Sequence, residues 1–230
     1  MLRPPTFMTL LVRTDDILRR RPWTTQSDST GSALFWLAVN EVLFGMLYGA
    51  AMGMFDGIGG DRLWYVAYSA IKVPLLLLVT FLIGLPSFFV LNTLFGLRRD
   101  FTQALRALVA AQAGLAIVLA SLAPLTLLWY ASSADYSATL RFNGLMFAVA
   151  SFSGQRLLWA YYRPLVHGNV KHRQMLWTWL AIYIFVGIQM AWVLRPFVGA
   201  PGVPAQFFRT QSWGNAYEVV ARLIYEAMAH

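Results

Sequence analysis

The sequence predicts an all-α, multi-pass transmembrane bundle of about five spans that is followed by a C-terminal amphipathic helix. Hydrophobic residues make up 58% of the chain and charged residues only 12%, whereas a soluble domain carries about 25% charged residues. The mean hydropathy is +0.56. Aromatic residues, which settle at membrane interfaces, make up 15%. The absence of cysteine excludes disulfides and thiolate metal sites.

The N-terminal segment, residues 1–32, is basic and has neither the apolar core nor the cleavage site of a secretory signal. One interpretation is a short interfacial helix whose Arg13 and Arg19–Arg21 reach lipid phosphates. Its apolar side would hold Phe7, Leu10, Leu11, Ile17 and Leu18. The other interpretation is a disordered basic tail that stays on the cytoplasmic side.

The membrane domain, residues 33–197, contains five stretches of the roughly 20 residues that a helix needs to cross a bilayer. They cover residues 33–55, 73–96, 104–130, 138–162 and 174–197. Pro86 is expected to kink the second span, and Pro124 lies near one end of the third. Residues 63–72 either extend the second span or lie at the interface.

Lys and Arg are distributed unevenly between the two sides of this arrangement. Twelve lie on the side of the N-terminus and six on the other, which puts the N-terminus in the cytoplasm and the C-terminus outside. The net charge of +8 therefore reflects orientation, and we expect no nucleic-acid partner. The expected partners are anionic headgroups of the inner leaflet.

The last segment, residues 198–230, changes in character. A Gly/Pro-rich turn around residues 199–204 ends the fifth helix. An amphipathic helix is predicted from about Asn215, with apolar and charged residues on different sides. The apolar side holds Tyr217, Val220, Ile224 and Met228, and the charged side holds Glu218, Arg222 and Glu226. Because the charges are frequent, we interpret it as an interfacial or docking helix rather than a sixth span.

Gly45, Gly49 and Gly53 recur every four residues in the first span. Each costs about 1 kcal/mol in a helix relative to alanine, so the face they form needs a close partner. Internal packing is favoured because the third span offers small residues at matching spacing. Those residues are Ala107, Ala111 and Gly114. Self-association and a mobile or lipid-filled groove remain as alternatives.

Glu41 lies in the first span, roughly 12 Å from its start, and an ionisable residue at such a depth is a candidate functional group. Gln112, Gln155 and Arg156 lie at similar depth and complete the predicted polar layer. The layer either forms one site on a pathway for ions or protons, or it forms a structural hydrogen bond between helices. One acid and no histidine favour the structural interpretation, and Arg156 has the alternative of extending to the cytoplasmic headgroups.

Three other polar residues have simpler predicted roles. Gln189, in the fifth span, is expected to bridge to a neighbouring helix. Arg195 and Lys72 are expected to meet headgroups at the outer surface.

The sequence gives little sign of catalysis. His167 and His172 have no acidic partner nearby and no metal-binding spacing. Ser151 and Ser153 have no histidine in a span to act as a base. We therefore expect no enzymatic activity, no metal and no cofactor.

The stretch KVPLLLLVTFLIGLPSFFVLNTLFG, a short basic turn and FTQALRALVAAQAG resemble the second and third helices of the five-span Ypt/Rab-interacting membrane proteins and their bacterial relatives. The resemblance covers residues 33–197 and implies a protein that organises membranes and binds partners without catalysis. The short N-terminal segment and the added residues 198–230 depart from the members that bind Rab GTPases. The stretch LRPFVGAPGVPAQFFR resembles bacterial membrane proteins, which implies the bacterial inner membrane.

These observations favour a non-catalytic membrane scaffold or accessory subunit that assembles with itself or with a larger membrane complex. The main alternative is a small channel or transporter that uses the polar layer around Glu41. A subunit of a lipid-handling enzyme is a third hypothesis, suggested by the basic inner loops.

Overall fold

The computed structural model describes residues 7–26, 30–60 and 62–208. Within these residues the fold is all-α, as predicted, and contains seven α-helices and no strand. The helices are α1 (Phe7–Leu18), α2 (Pro22–Gln26), α3 (Thr30–Gly53), α4 (Arg62–Leu94), α5 (Phe101–Ser132), α6 (Tyr136–Gly168) and α7 (Lys171–Leu194). The amphipathic helix predicted from Asn215 lies outside the described residues.

Within the described residues, four helical segments are long and apolar enough to cross a membrane, and they indicate a multi-pass membrane protein. These are α3, α4, residues 98–132 and α7. Helix α6 coincides with the predicted fourth span and has 33 residues, but it is not one of these four segments. Asp135 fixes its start, since the carboxylate accepts hydrogen bonds from the backbone amides of Ser137 and Ala138 at 2.8 and 3.2 Å.

Short connections place the long helices antiparallel to one another in chain order. The end that carries α1, α2 and residues 95–100 and 169–170 is called the basic end. The opposite end, with the connections after α3 and α5 and residues 195–208, is called the distal end. Helix α5 packs against both α3 and α6, while α4 packs against α3 and α7. Helices α6 and α7 touch little, although they are consecutive in the chain.

The glycine face of α3 packs against α4 and not against α5, which corrects the predicted partner. A Cβ atom at Gly53 would lie 2.6 Å from the carbonyl oxygen of Tyr65, and one at Gly49 would lie 2.9 Å from Cα of Ala70. At Gly45 the nearest atom would be Cβ of Pro74 at 3.2 Å. The two backbones therefore approach closely because the side chains are missing.

The small residues of α5 serve other contacts. Ala107 and Ala111 are buried in the core, and Gly114 faces the side chain of Leu157 on α6. Helix α6 also contributes a glycine to this contact. A Cβ atom at Gly154 would lie 3.0 Å from Cβ of Leu115 on α5. The α5–α6 contact thus uses one glycine from each helix.

Helix α4 begins at Arg62, so residues 63–72 extend it. The expectation that Lys72 anchors α4 to headgroups is wrong. Lys72 is fully buried, and its ammonium donates a hydrogen bond to the carbonyl oxygen of Pro196 at 2.6 Å. Its Nζ also lies 5.0 Å from the ring centroid of Phe207.

The segment after α7 runs along the distal half of α4. The Ser69 hydroxyl donates to the carbonyl oxygen of Phe197, and the Tyr65 hydroxyl lies within 3.2 and 3.0 Å of the carbonyl oxygens of Val203 and Pro204. Gly199 lies against the Tyr65 ring, where a Cβ atom would lie 2.7 Å from the nearest ring carbon. This segment is thereby bound to α4 over its length.

Helix α1 packs against the bundle, so residues 7–18 are helical and do not form the disordered tail of the second interpretation. Ile17 is fully buried, and its carbonyl oxygen accepts a hydrogen bond from the Tyr161 hydroxyl at 2.7 Å. The Arg13 guanidinium lies 4.9 Å from the Trp23 ring and 4.2 Å from the Trp36 ring. Burial lowers the pKa of Arg13, and the Asp16 carboxylate opposes that shift. Met8, Leu11, Val12 and Leu18 are exposed.

Candidate functional site

The candidate site begins with a buried hydrogen bond between α3 and α5. Glu41 is 2% exposed, and its Oε1 accepts a hydrogen bond from Nε2 of Gln112 at 3.1 Å. The same nitrogen donates to the carbonyl oxygen of Leu77 on α4 at 2.7 Å. The Gln112 amide of α5 therefore forms hydrogen bonds to both α3 and α4.

A small cavity extends from this hydrogen bond towards α6 and α7. Its volume is about 30 Å³, which is enough for about one water molecule. Gln112, Gln155 and Tyr183 line it together with apolar residues. Gln155 therefore lies next to the Glu41–Gln112 pair across the cavity. Glu41, Gln112, Gln155 and Tyr183 together form the polar layer of the structure.

Arg156 does not belong to this layer, which corrects its predicted place. Its side chain is exposed, and the guanidinium carbon lies 5.1 Å from the ring centroid of Phe152. Arg156 comes directly after Gln155 in the helix and points about 100° away from it, because successive residues of an α-helix are rotated by that angle.

A second buried polar cluster lies nearer the distal end and was not predicted. Nδ2 of Asn143 donates to the Tyr130 hydroxyl at 2.8 Å and to the Thr139 carbonyl oxygen at 2.9 Å. Oδ1 of Asn143 accepts a hydrogen bond from the Tyr48 hydroxyl at 3.2 Å. The signal in the sequence was an asparagine within the fourth predicted span.

A groove runs between α6 and α7, and we call it the lateral groove. Its volume is about 690 Å³. Its floor includes Leu77, Thr80 and Leu115, and its walls are α6 residues from Leu140 to Gln155 and α7 residues from Leu180 to Ala191. The groove exists because α6 packs on α5 while α7 packs on α4.

Aromatic residues close the lateral groove towards the basic end. The rings of Trp159 and Trp177 meet edge to face with centroids 5.7 Å apart. Phe197 lines the groove near its other end. Helices α6 and α7 are therefore bridged on the basic side of the groove and separate along it.

The two remaining predicted site residues lie on and just after α7. Gln189 is half-buried, as is Arg195. The Arg195 guanidinium lies 3.0 Å from the centroid of the Trp192 ring. The Arg195 guanidinium therefore contacts the Trp192 ring, and its predicted contact with outer headgroups stays a prediction.

The histidines do not form a metal site in the described part of the chain, where no group of three candidate ligands occurs. His172 is buried, and its Nε2 lies 3.1 Å from Oδ2 of Asp100. The expectation that His172 has no acidic partner was therefore wrong. This pair joins the start of α7 to the turn before α5 at the basic end.

No protein-family model matches the chain, and no match was found among curated proteins or solved structures. The resemblance to the Ypt/Rab-interacting membrane proteins therefore stays a prediction.

Proposed function

We propose that the protein is a non-catalytic integral membrane scaffold or accessory subunit that packs within a larger or self-assembled membrane complex. The observation that carries this proposal is that polar side chains of the long helices bond to one another across helix contacts. Gln112 bonds to Glu41, and Asn143 bonds to Tyr130. Such bonds stabilise a bundle by roughly 0.6–2 kcal/mol each.

The proposal includes α6 as a fifth crossing. Helix α6 begins at Tyr136, close to the end of α5, and ends at Gly168, close to the start of α7. Since α5 and α7 are both candidate spans, α6 returns the chain from the distal end to the basic end. Its 33 residues give a length of about 50 Å at 1.5 Å per residue, which exceeds the roughly 30 Å of a hydrocarbon core.

Aromatic residues on α6 support the depth of this crossing. Tyr136 and Trp159 are separated along the helix by about 34 Å at 1.5 Å per residue, and interfacial Tyr and Trp mark the two faces of a bilayer. Trp177 lies beside Trp159. The positive-inside rule then puts the basic end, with Arg98, Arg99 and Lys171, in the cytoplasm.

Single-cysteine labelling tests the five-span topology, because the chain has no cysteine of its own. Ala134 and Val170 lie in the connections on either side of α6. We expect Ala134→Cys to react with an impermeant maleimide in intact cells and Val170→Cys to react only after lysis. Equal reactivity of the two variants in intact cells would exclude α6 as a crossing.

Native mass measurement after mild solubilisation tests the scaffold proposal. We expect a mass above that of the 25.9 kDa chain, from further copies or from a co-purifying membrane protein. A strict monomer with no co-purifying protein, obtained in several mild detergents, would contradict the proposal. The bacterial inner membrane is the proposed location, and fractionation of native membranes tests it.

A small channel or transporter is a second candidate, and one observation favours it. Gln112, which donates a hydrogen bond to Glu41, lines a cavity that has room for about one water molecule. Ion flux into liposomes, with Glu41→Gln as the variant, separates the two candidates. Wild-type flux that falls in the variant would support transport, and unchanged flux would exclude a role for the layer in it.

A further inference from the structure

The lateral groove has room for a hydrocarbon chain. Its α6 wall from Leu140 to Gln155 is about 22 Å long at 1.5 Å per residue, and its volume is about 690 Å³. One leaflet of the hydrocarbon core is about 15 Å thick, so an acyl chain of the inner leaflet fits within the groove.

The lining of the groove is apolar along most of its length and polar at the end nearer the basic end. Phe147, Ile184 and Ile188 are among the apolar residues. Gln155 and Tyr183 line both the groove and the small cavity of the polar layer. Asn143 lines the groove nearer the distal end, but it is 1% exposed and bonds to Tyr48 and Tyr130. The polar side chains left for an amphiphile therefore lie at the end nearer the basic end.

Arg156 supplies a positive charge at the polar end. It comes directly after Gln155 and is exposed, and its guanidinium lies over Phe152, a residue of the groove wall. Among the described residues, no carboxylate forms an ion pair with it. A guanidinium pairs readily with a phosphate group. The charge at this end is therefore complementary to an anionic headgroup.

The floor of the groove contributes one unpartnered polar atom. Thr80 lines the groove and is 1% exposed. Its hydroxyl has no hydrogen-bond partner in the described part of the chain. A buried hydroxyl without a partner is costly. The oxygen is itself buried and the methyl group faces Gly187, so a rotation about χ1 would bring the hydroxyl to the groove, where an ester carbonyl could accept its hydrogen bond. Thr80 also lies near Gly187, one turn beyond Tyr183 towards the distal end.

We propose that the lateral groove binds one anionic phospholipid of the inner leaflet. The phosphate lies at Arg156, the glycerol ester region lies near Gln155 and Thr80, and one acyl chain runs between α6 and α7 towards Leu140. The order of these groups along the groove matches the order of phosphate, ester and chain in the lipid. The site goes beyond the scaffold function and does not depend on assembly.

Two glycines of α6 allow a matched test of this site. A Cβ atom at Gly144 or at Gly168 would meet nothing within 4 Å, so both positions have room for a larger residue. Gly144 lines the groove, whereas Gly168 ends α6 at the basic end. Gly144→Leu therefore fills the groove, and Gly168→Leu is the control. Arg163, which is also exposed on α6, gives Arg163→Gln as the control for Arg156→Gln.

The experiment is a lipid titration of the purified full chain, with native mass spectrometry as the readout. The probes are palmitoyl-oleoyl phosphatidylglycerol and phosphatidylcholine with the same chains. We expect one phosphatidylglycerol per chain, bound several-fold more tightly than phosphatidylcholine. Both lipids have the phosphate, but the choline ammonium of phosphatidylcholine brings a second positive charge beside the Arg156 guanidinium. Arg156→Gln should remove the preference, and Gly144→Leu should weaken both lipids by about tenfold or more. The two control variants should behave as wild type.

Thr80 variants keep the proposal testable if Gly144→Leu fails to fold. Thr80→Val should bind both lipids several-fold more weakly, while Thr80→Ser, which keeps the hydroxyl, should bind as wild type. Equal lipid binding by Gly144→Leu and Gly168→Leu would overturn the proposal, as would an unchanged preference in Arg156→Gln.

Two further outcomes identify a different occupant of the groove. If wild type binds no lipid and a chain ending at Phe208 does, residues 209–230 occupy the groove and the proposal is wrong. If Gly144→Leu lowers the oligomeric mass and leaves lipid binding unchanged, a second copy of the chain occupies it and the proposal is equally wrong.

Discussion

Gly49 of α3 lies directly against the backbone of Ser69 in α4, with no space for a side chain between the two helices. One turn on, Gly53 lies in the same way against Tyr65. The distal half of α4 that receives these glycines also binds the segment after α7, through Ser69 and Lys72. The glycine face of α3 therefore positions α4, and α4 in turn binds the segment after α7 at the distal end.

Gly49→Ala should destabilise the bundle, because the added methyl group collides with α4 backbone atoms that cannot move alone. Overpacking of this kind costs about 1–3 kcal/mol, which should lower the midpoint of thermal unfolding in detergent. Gly144→Ala is the control, since nothing lies within 4 Å of its added carbon. An unchanged midpoint for Gly49→Ala, with a smaller oligomer, would mean that the glycine face packs between copies.

The sequence predicted that the glycine face needs a close partner, but it did not identify the partner. Spacing of small residues marked α5, where Ala107 and Ala111 match the period of Gly45 and Gly49. The partner is α4, where Ser69 and Ala70 opposite Gly49 are small but Tyr65 opposite Gly53 and Pro74 opposite Gly45 are not. Any helix that is free of side-chain obstruction at the contact can approach a glycine, so residue size alone does not identify it.

Gln112→Leu should destabilise the bundle more than Glu41→Gln. Leucine removes the amide that donates to both Glu41 and Leu77, which leaves two buried acceptors without that donor and costs about 1–3 kcal/mol. Glutamine at position 41 keeps an oxygen that accepts from Gln112, so its unfolding midpoint should stay near that of wild type. Thermal unfolding of the two variants in detergent measures the difference.

A double-mutant cycle provides the control for this pair. If Gln112 and Glu41 stabilise each other, Gln112→Leu combined with Glu41→Leu should cost less than the sum of the two single changes. Additive costs would show that the hydrogen bond between them contributes nothing measurable.

Asn143→Leu should destabilise the contact of α6 with α3 and α5. Leucine removes the donor to Tyr130 and the acceptor for Tyr48. The Tyr130 hydroxyl still donates to the Met52 carbonyl oxygen, whereas the Tyr48 hydroxyl loses this acceptor, and a buried group left unsatisfied costs about 1–3 kcal/mol. Tyr48→Phe removes only one of these bonds and should cost less. Unfolding midpoints of both variants measure the order, and a larger loss for Tyr48→Phe would contradict it.

Polar residues within the predicted spans pointed correctly to buried positions for Glu41 and Gln112 but not for Arg156. Glu41 and Gln112 lie at the same depth in the bundle and face each other. That shared depth can be predicted by counting residues along each helix. Whether a residue points into the bundle depends on how the helix is rotated, which depth does not give. Arg156 has the right depth and the wrong rotation. The lateral groove could not be predicted from the sequence either. It arises because α6 packs against α5 while α7 packs against α4, and the sequence does not show which helices are neighbours.

Lys72→Met should loosen the segment after α7 without unfolding the membrane helices. Methionine keeps much of the volume of the buried side chain but removes the ammonium that donates to the Pro196 carbonyl oxygen, and a hydrogen bond from a charged group contributes about 1.5–3 kcal/mol. The segment around Gly202 should then be cut faster by an added protease, while the unfolding midpoint falls only slightly. Arg141→Met, which changes an exposed residue of α6, is the control and should be cut at the wild-type rate. If Lys72→Met is cut no faster than this control, the bonds from Tyr65 and Ser69 hold the segment on α4 without Lys72.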